Sequence, residues 1–103
     1  MRIKFRSSTI TERPNKKEMA NPFHPGEILQ EEFLVPLGLT QTAFAKKLRW
    51  TPAKLNELIR GRRGITAESA IALSKELGTS PKFWMNLQSS YDLHRVISGR
   101  HVA

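Results

Sequence analysis

Asn56 and Glu57 stand side by side in a strongly basic stretch, and their side chains suit one kind of chemistry. An amide that donates and accepts in one plane matches the edge of adenine. A carboxylate accepts from the N4 amine of cytosine, and a small methyl such as that of Ala53 packs on the thymine methyl group. Lys54, Arg60, Arg62 and Arg63 surround them and suit phosphate oxygens. Between Lys46 and Arg63 there are seven basic residues against Glu57 alone. Blander roles remain open: Glu57 has Lys54 and Arg60 within helical reach for a solvated ion pair, and Arg62 and Arg63 also serve as loop solubilisers.

Other chemistries find no support. His24, His94 and His101 lack metal-ligand spacing, and the chain has no cysteine. Ser89, Ser90, Asp92 and His94 superficially resemble a hydrolytic triad, but one short helix points residues one and two apart in different directions. There is no glycine-rich phosphate loop and no paired-carboxylate site. The expectation is a protein that is not an enzyme and that needs no metal and no cofactor.

The 103 residues fit one domain, with 39% apolar content for a modest core. Seventeen Lys and Arg against nine Asp and Glu leave a net charge of +8, which suggests a polyanionic partner, although charge also serves solubility. No apolar run approaches the ~20 residues of a membrane span, and the start lacks the apolar segment of a secretory signal. No membrane partner is expected, and a bacterial cytoplasmic setting, nucleoid-associated through DNA, is the default.

Elements that hold these residues can be placed from caps and periodicity. His24-Pro25-Gly26-Glu27 opens a first helix with the apolar stripe Ile28, Leu29, Phe33 and Leu37, ended by Pro36 and Gly38. Thr40 caps a second helix through Leu48, with Phe44, Ala45 and Leu48 inward. Thr51 caps a third, with Pro52 in its first turn, Leu55, Leu58 and Ile59 in its core face and Gly61 at its stop. Thr66 caps a fourth, burying Ala70, Ile71, Leu73 and Leu77 and ending at Gly78. Ser80-Pro81 starts a fifth, carrying Phe83, Trp84, Leu87, Tyr91 and Leu93. The fold class is all-α, with five helices.

Only Arg49-Trp50-Thr51 separates the second and third helices, too few residues for a relaxed antiparallel return. The pair therefore crosses steeply, as in a helix-turn-helix. Pro52, Ala53, Asn56, Glu57 and Arg60 remain outward on the third helix, the face that would enter a major groove while the second helix crosses the backbone.

These motifs carry a resemblance. Residues 37–87 resemble the lambda-repressor-like (XRE) helix-turn-helix family. The runs HPGEILQEEFLVPLGLTQ and GRRGITAESAIALSKELGTSPKFWMNLQSSYDL resemble the HigA (VapI-type) antitoxins, over roughly residues 20–93. The resemblance implies a five-helix DNA-binding domain in which Pro52, Ala53, Asn56 and Glu57 read base edges. It also implies that Thr40, Gln41, Arg49, Lys54, Arg60, Arg62 and Arg63 meet phosphates. The family usually has Gly where this chain has Arg49, so a positive φ is expected there, with the side chain near DNA.

The same resemblance implies an antitoxin of a type II toxin–antitoxin system. Its partners are double-stranded operator DNA, a second copy of itself and a cognate HigB-like toxin, a ribosome-dependent mRNA endonuclease of RelE-like fold. It represses its own operon. Trp84, Leu87 and Tyr91 are the expected dimer contacts. The alternative is a stand-alone helix-turn-helix regulator without a toxin. A small RNA-binding protein or nucleic-acid enzyme lacks the aromatic sheet or the catalytic cluster it needs.

Domain boundaries follow. Residues 1–20 form a basic N-terminal extension, expected to be flexible, with a candidate edge strand at Ile3 and Phe5. Residues 21–98 form the helix-turn-helix domain, and residues 99–103 a frayed tail. Family members begin near the stretch that here reads Met19-Ala20-Asn21-Pro22, so residues 1–18 are either an added basic arm or the product of an upstream start.

Overall fold

Five short polar side chains start the five helices of the protein. The computed structural model describes residues 23–102. The Nδ1 atom of His24 accepts from the Gly26 N–H at 2.9 Å. Thr40 Oγ1 accepts from Ala43 N–H and Thr51 Oγ1 from Lys54 N–H, both at 3.1 Å. Thr66 and Ser69 exchange hydrogen bonds in a capping box. Ser80 Oγ accepts from Phe83 N–H at 3.0 Å. Each such cap is worth about 1 kcal/mol and sets where its helix begins.

The first helix, α1, joins three segments without a break: Pro25–Ile28, a wider π-helical stretch Leu29–Leu34, and Val35–Leu37. Pro36 does not end it. In a regular helix the Pro36 ring would press on the carbonyl four residues earlier. The π-helical turn lies directly before it, with the Val35 N–H reaching back five residues to the Gln30 carbonyl. The wider turn also shifts the apolar register. Leu29 and Leu34 are fully buried, Phe33 is half-buried, and Leu37, expected in the core, is 59% exposed. Gly38, at φ 68°, then stops the helix.

Helix α2 spans Gln41–Leu48 and α3 spans Pro52–Ile59. Helix α4 spans Ala67–Leu77 and α5 spans Pro81–Val102. Left-handed residues close the ends of α2 and α4 and follow α3: Arg49 (φ 63°), Gly78 (φ 74°) and Gly61 (φ 79°). Phe44, Ala45, Leu48, Leu55, Leu58, Ile65, Ala70, Leu73 and Trp84 complete the core around Leu29 and Leu34. Ile71 is exposed rather than buried, and Ser69 and Ser74 take inward places on α4. Phe83 is 36% exposed and Leu93 49%. Helical backbone continues through Val102, over positions expected to fray. The expected extension over residues 1–20, with its candidate strand, lies outside the described residues. No described helix is long and apolar enough to cross a membrane.

The first motif explains how α1 meets α3. A Cβ at Gly26 would overlap the Leu58 carbonyl oxygen, so only glycine lets the two backbones approach. His24 is buried beside this contact, with its ring edge-on to Tyr91 at 4.9 Å. Burial lowers its pKa below the ordinary 6.5, against weaker opposing pulls from Asp92 and the Arg63 backbone.

Two outcomes are expected from these positions. The left-handed penalty at Arg49, about 1–2 kcal/mol, exceeds the unfolded-state freedom that glycine adds, about 0.4–1 kcal/mol. Arg49→Gly should therefore raise the urea midpoint; an unchanged or lower midpoint would show that the Arg49 conformation carries no strain. His24 takes up a proton more readily unfolded than folded, so its contribution to stability is present above about pH 6.5 and is lost as pH falls toward its lower folded value. Thermal melting of His24→Asn, which keeps a capping acceptor, should depend less on pH between 7 and 5 than melting of the parent chain. Parallel profiles would show that His24 is not the group responsible.

Candidate nucleic-acid interface

The turn between α2 and α3 is closed by its own backbone. The Trp50 N–H donates to the Ala45 carbonyl at 2.9 Å and the Arg49 N–H to the Lys46 carbonyl at 3.1 Å. The first of these bonds spans five residues and requires the left-handed conformation at Arg49. Ala45 is 1% exposed, small enough to let α3 lie close across α2. Leu55 and Leu58 then seal α3 inward. Its other side carries Pro52, Ala53, Asn56 and Arg60, all exposed, with Lys54 and Glu57 half-exposed at the margins.

The candidate residues do not stand as separate points. The Asn56 amide Nδ2 donates to Gln41 Oε1 at 3.1 Å, across the two helices. Gln41 and Asn56 were expected to meet a phosphate and an adenine respectively. Their hydrogen bond fixes the plane of the Asn56 amide and leaves its carbonyl oxygen and second N–H outward. Thr40, exposed at the same helix start, uses its hydroxyl as an acceptor to cap α2.

Glu57 and Arg63 also meet. Arg63 donates from Nη2 at 2.7 Å and from Nε at 3.2 Å, both to Glu57 Oε1. The partner of Glu57 is thus Arg63 on the following loop, not Lys54 or Arg60 on its own helix. Both side chains are nearly half exposed, so the pair adds about 0–1 kcal/mol to stability. Lys54 turns the other way and sets its ammonium 4.4 Å from the centre of the Trp50 ring. That contact accounts for a large aromatic in the turn: Trp50 packs one part on the core and offers a face to the cation.

The loop after α3 is built as firmly as the turn before it. The Gly61 N–H donates to the Leu58 carbonyl at 3.0 Å and the Arg62 N–H to the Glu57 carbonyl at 2.8 Å. Gln88, on α5, accepts from the Ile65 N–H at 2.7 Å and donates to Asp92 at 2.9 Å. Gly64 lies against the same Gln88 amide. Gln88 did not stand out in the sequence, where a lone glutamine on a mixed helix carries no signal. Its part depends on a backbone N–H 23 positions away.

Of the expected dimer contacts, Trp84 is 0% exposed. Its indole N–H donates to Thr79 Oγ1 at 2.7 Å, and its ring lies 5.3 Å from Phe33 and 5.0 Å from Phe83. Trp84 is therefore a core residue with no surface for a second copy. Its size fills the space between α1 and α5, and Thr79 satisfies its one polar atom. Leu87 is half-buried against the core, and Tyr91 lies between His24 and the Arg95 guanidinium, 5.9 Å from its ring centre. Among the described residues, no cluster of three His, Cys, Asp or Glu side chains is placed to hold a metal ion.

This arrangement agrees with what the chain is similar to. Residues 30–84 match the model of the helix-turn-helix family. The chain is 45% identical over 80 residues to virulence-associated protein I of Dichelobacter nodosus, covering 78% of this chain and 74% of that one. It is 38% identical over 78 residues to antitoxin HigA-1 of Vibrio cholerae, covering 76% and 73%. Among solved structures, the antitoxin HigA of Pseudomonas aeruginosa with its higBA promoter superposes with a TM-score of 0.73 at 40% identity, covering 80% of this chain and 91% of that one. With its five helices and its short helix-turn-helix connection, the chain belongs to the lambda-repressor-like helix-turn-helix family, among the HigA-type antitoxins.

Proposed function

We propose that this protein is the antitoxin of a type II toxin–antitoxin pair that binds a palindromic operator and represses its own operon. The observation that carries the reading is the outward face of α3. Pro52, Ala53 and Asn56 are exposed on a helix whose opposite side is sealed into the core, with basic residues before and after it. A likeness at 40% identity to an antitoxin HigA solved with its higBA promoter supports DNA binding. In this reading α3 lies in the major groove, Asn56, Glu57 and Ala53 face base edges with Pro52 at the entry, and α2 crosses the backbone. Thr40, Gln41, Arg49, Lys54, Arg60 and Arg62 border the phosphates, while Arg63 is drawn to Glu57.

A homodimer places two such helices about 34 Å apart, one turn of DNA. Helix α5 supplies the surface for it. Leu93, Val96 and Ile97, spaced three and four apart, are 49%, 57% and 40% exposed, and they lie on the outer side of α5, turned away from the half-buried Leu87 and Tyr91. The protein partner is a HigB-like toxin, an mRNA endonuclease of RelE-like fold, neutralised in a complex in the bacterial cytoplasm. This part rests on the family alone.

Two experiments test the reading. In equilibrium binding to operator duplexes altered one base pair at a time, Asn56→Ala should lose discrimination of about 1–3 kcal/mol at a single pair. Arg62→Ala should weaken all duplexes alike and lower the salt slope by about 0.9. Identical responses from operator and random DNA to both changes would show that α3 is not the reading helix. Co-expression with the product of the adjacent reading frame should yield a co-purifying complex and relief of growth arrest. A frame that causes no arrest, or forms no complex, would leave a stand-alone regulator.

A further inference from the structure

A carboxylate placed between rows of phosphates is repelled by them, and the repulsion strengthens where water is excluded. Glu57 occupies such a place if α3 enters the groove, yet it is the one acidic residue of the basic stretch from Lys46 to Arg63. Among the described residues its ion pair with Arg63 is the only one.

The geometry of that pair is informative. Two donors of Arg63 converge on a single oxygen, Oε1, so Oε2 keeps its capacity to accept from another donor. Arg63 is brought there by its loop rather than by helical spacing. Gly61 turns left-handed over the His24 ring, with the site of its absent Cβ 3.6 Å from that ring, and the Arg62 N–H returns to the Glu57 carbonyl. On the far side Gln88 holds the Ile65 N–H. A loop closed at both ends presents the guanidinium in one place, which a free surface arginine would reach only by losing rotamer freedom. Arg62, the neighbouring residue, points into no ion pair among the described residues.

The geometry points to Arg63 as a specificity-positioning residue. It neutralises Glu57 and holds the carboxylate so that Oε2 accepts from a cytosine N4 amine, while Arg62 takes the adjacent phosphate. This inference rests on the proposed placement of α3 in the major groove. It gives two adjacent arginines different work: one contributes affinity for any duplex, and the other acts through Glu57 on sequence.

The test uses the full chain and the duplex it recovers from a random-core library, with variants of that duplex altered one base pair at a time. Binding is followed by fluorescence anisotropy over a range of salt. Glu57→Ala and Arg63→Ala should each reduce the preference for one and the same C·G pair by about tenfold. The double variant should reduce it no further, because both changes remove one device. Arg62→Ala should leave every preference intact and lower the salt slope by about 0.9. Arg63→Lys should recover part of the overall affinity without the preference, since an ammonium lacks the planar fork.

Each contrary outcome is decisive. If Arg63→Ala weakens all duplexes equally and keeps the C·G preference, Arg63 is a phosphate anchor and the inference fails. If Glu57→Ala changes no preference while Asn56→Ala does, the inference fails and the groove placement of α3 stands. If neither variant changes any preference, both fail. Circular-dichroism melting of each variant checks that the fold is retained, as expected for a pair so open to solvent.

Discussion

The architecture depends on a reversal of direction made by Arg49, Trp50 and Thr51. This short turn sets α3 across α2 as in a helix-turn-helix, and the crossing is close. Two local features make it so. Arg49 adopts a left-handed conformation, which lets the Trp50 N–H reach the Ala45 carbonyl. Ala45 has no side chain beyond its methyl to hold α3 away. Once the angle is set, Leu55 and Leu58 can only point to the core, and Asn56 and Ala53 can only point out. The outward face is thus a consequence of the turn, not of the polarity of α3 alone.

A second layer of constraint comes from the elements that carry no proposed DNA contact. Gly26 lets α1 touch the end of α3, His24 caps α1 and lies under Gly61, and Gln88 on α5 closes the far end of the Gly61–Ile65 loop by the Ile65 N–H. The loop that follows α3 is therefore tied to distant parts of the chain, while the turn before it is held by local hydrogen bonds. A recognition surface gains from such support, because side chains ordered before binding lose less freedom on binding.

The polar side chains follow the same economy of motion. Gln41 orients Asn56, Arg63 neutralises Glu57, and Trp50 holds Lys54. Each pair joins residues that separate roles would have left independent, and each leaves part of its hydrogen-bonding or charge capacity outward. The ion pair and the cation–π contact are exposed enough to contribute little to stability. Their effect is to narrow the range of orientations in which these groups meet a ligand.

Much of this was legible in the residues themselves. Thr40, Thr51, Thr66 and Ser80 mark helix starts and Gly38, Gly61 and Gly78 mark ends because capping and left-handed geometry are local matters, decided within four or five positions. The three-residue turn and the outward face of α3 also follow from local spacing, whereas the positive φ at Arg49 was implied by the family resemblance, in which Gly usually stands there. What only the tertiary structure decided lies across longer distances. The π-helical turn before Pro36 moved Leu37 out of the core and placed Leu34 in it, a change of register that no periodic pattern carries. Trp84 became the centre of the core because α1 and α4 close over it, leaving the outer side of α5 to Leu93, Val96 and Ile97. Gln88, Gly26 and the Glu57–Arg63 pair acquired their parts from neighbours far along the chain or off the helical repeat, since a hydrogen-bond partner brought by folding leaves no mark at its own position in a sequence.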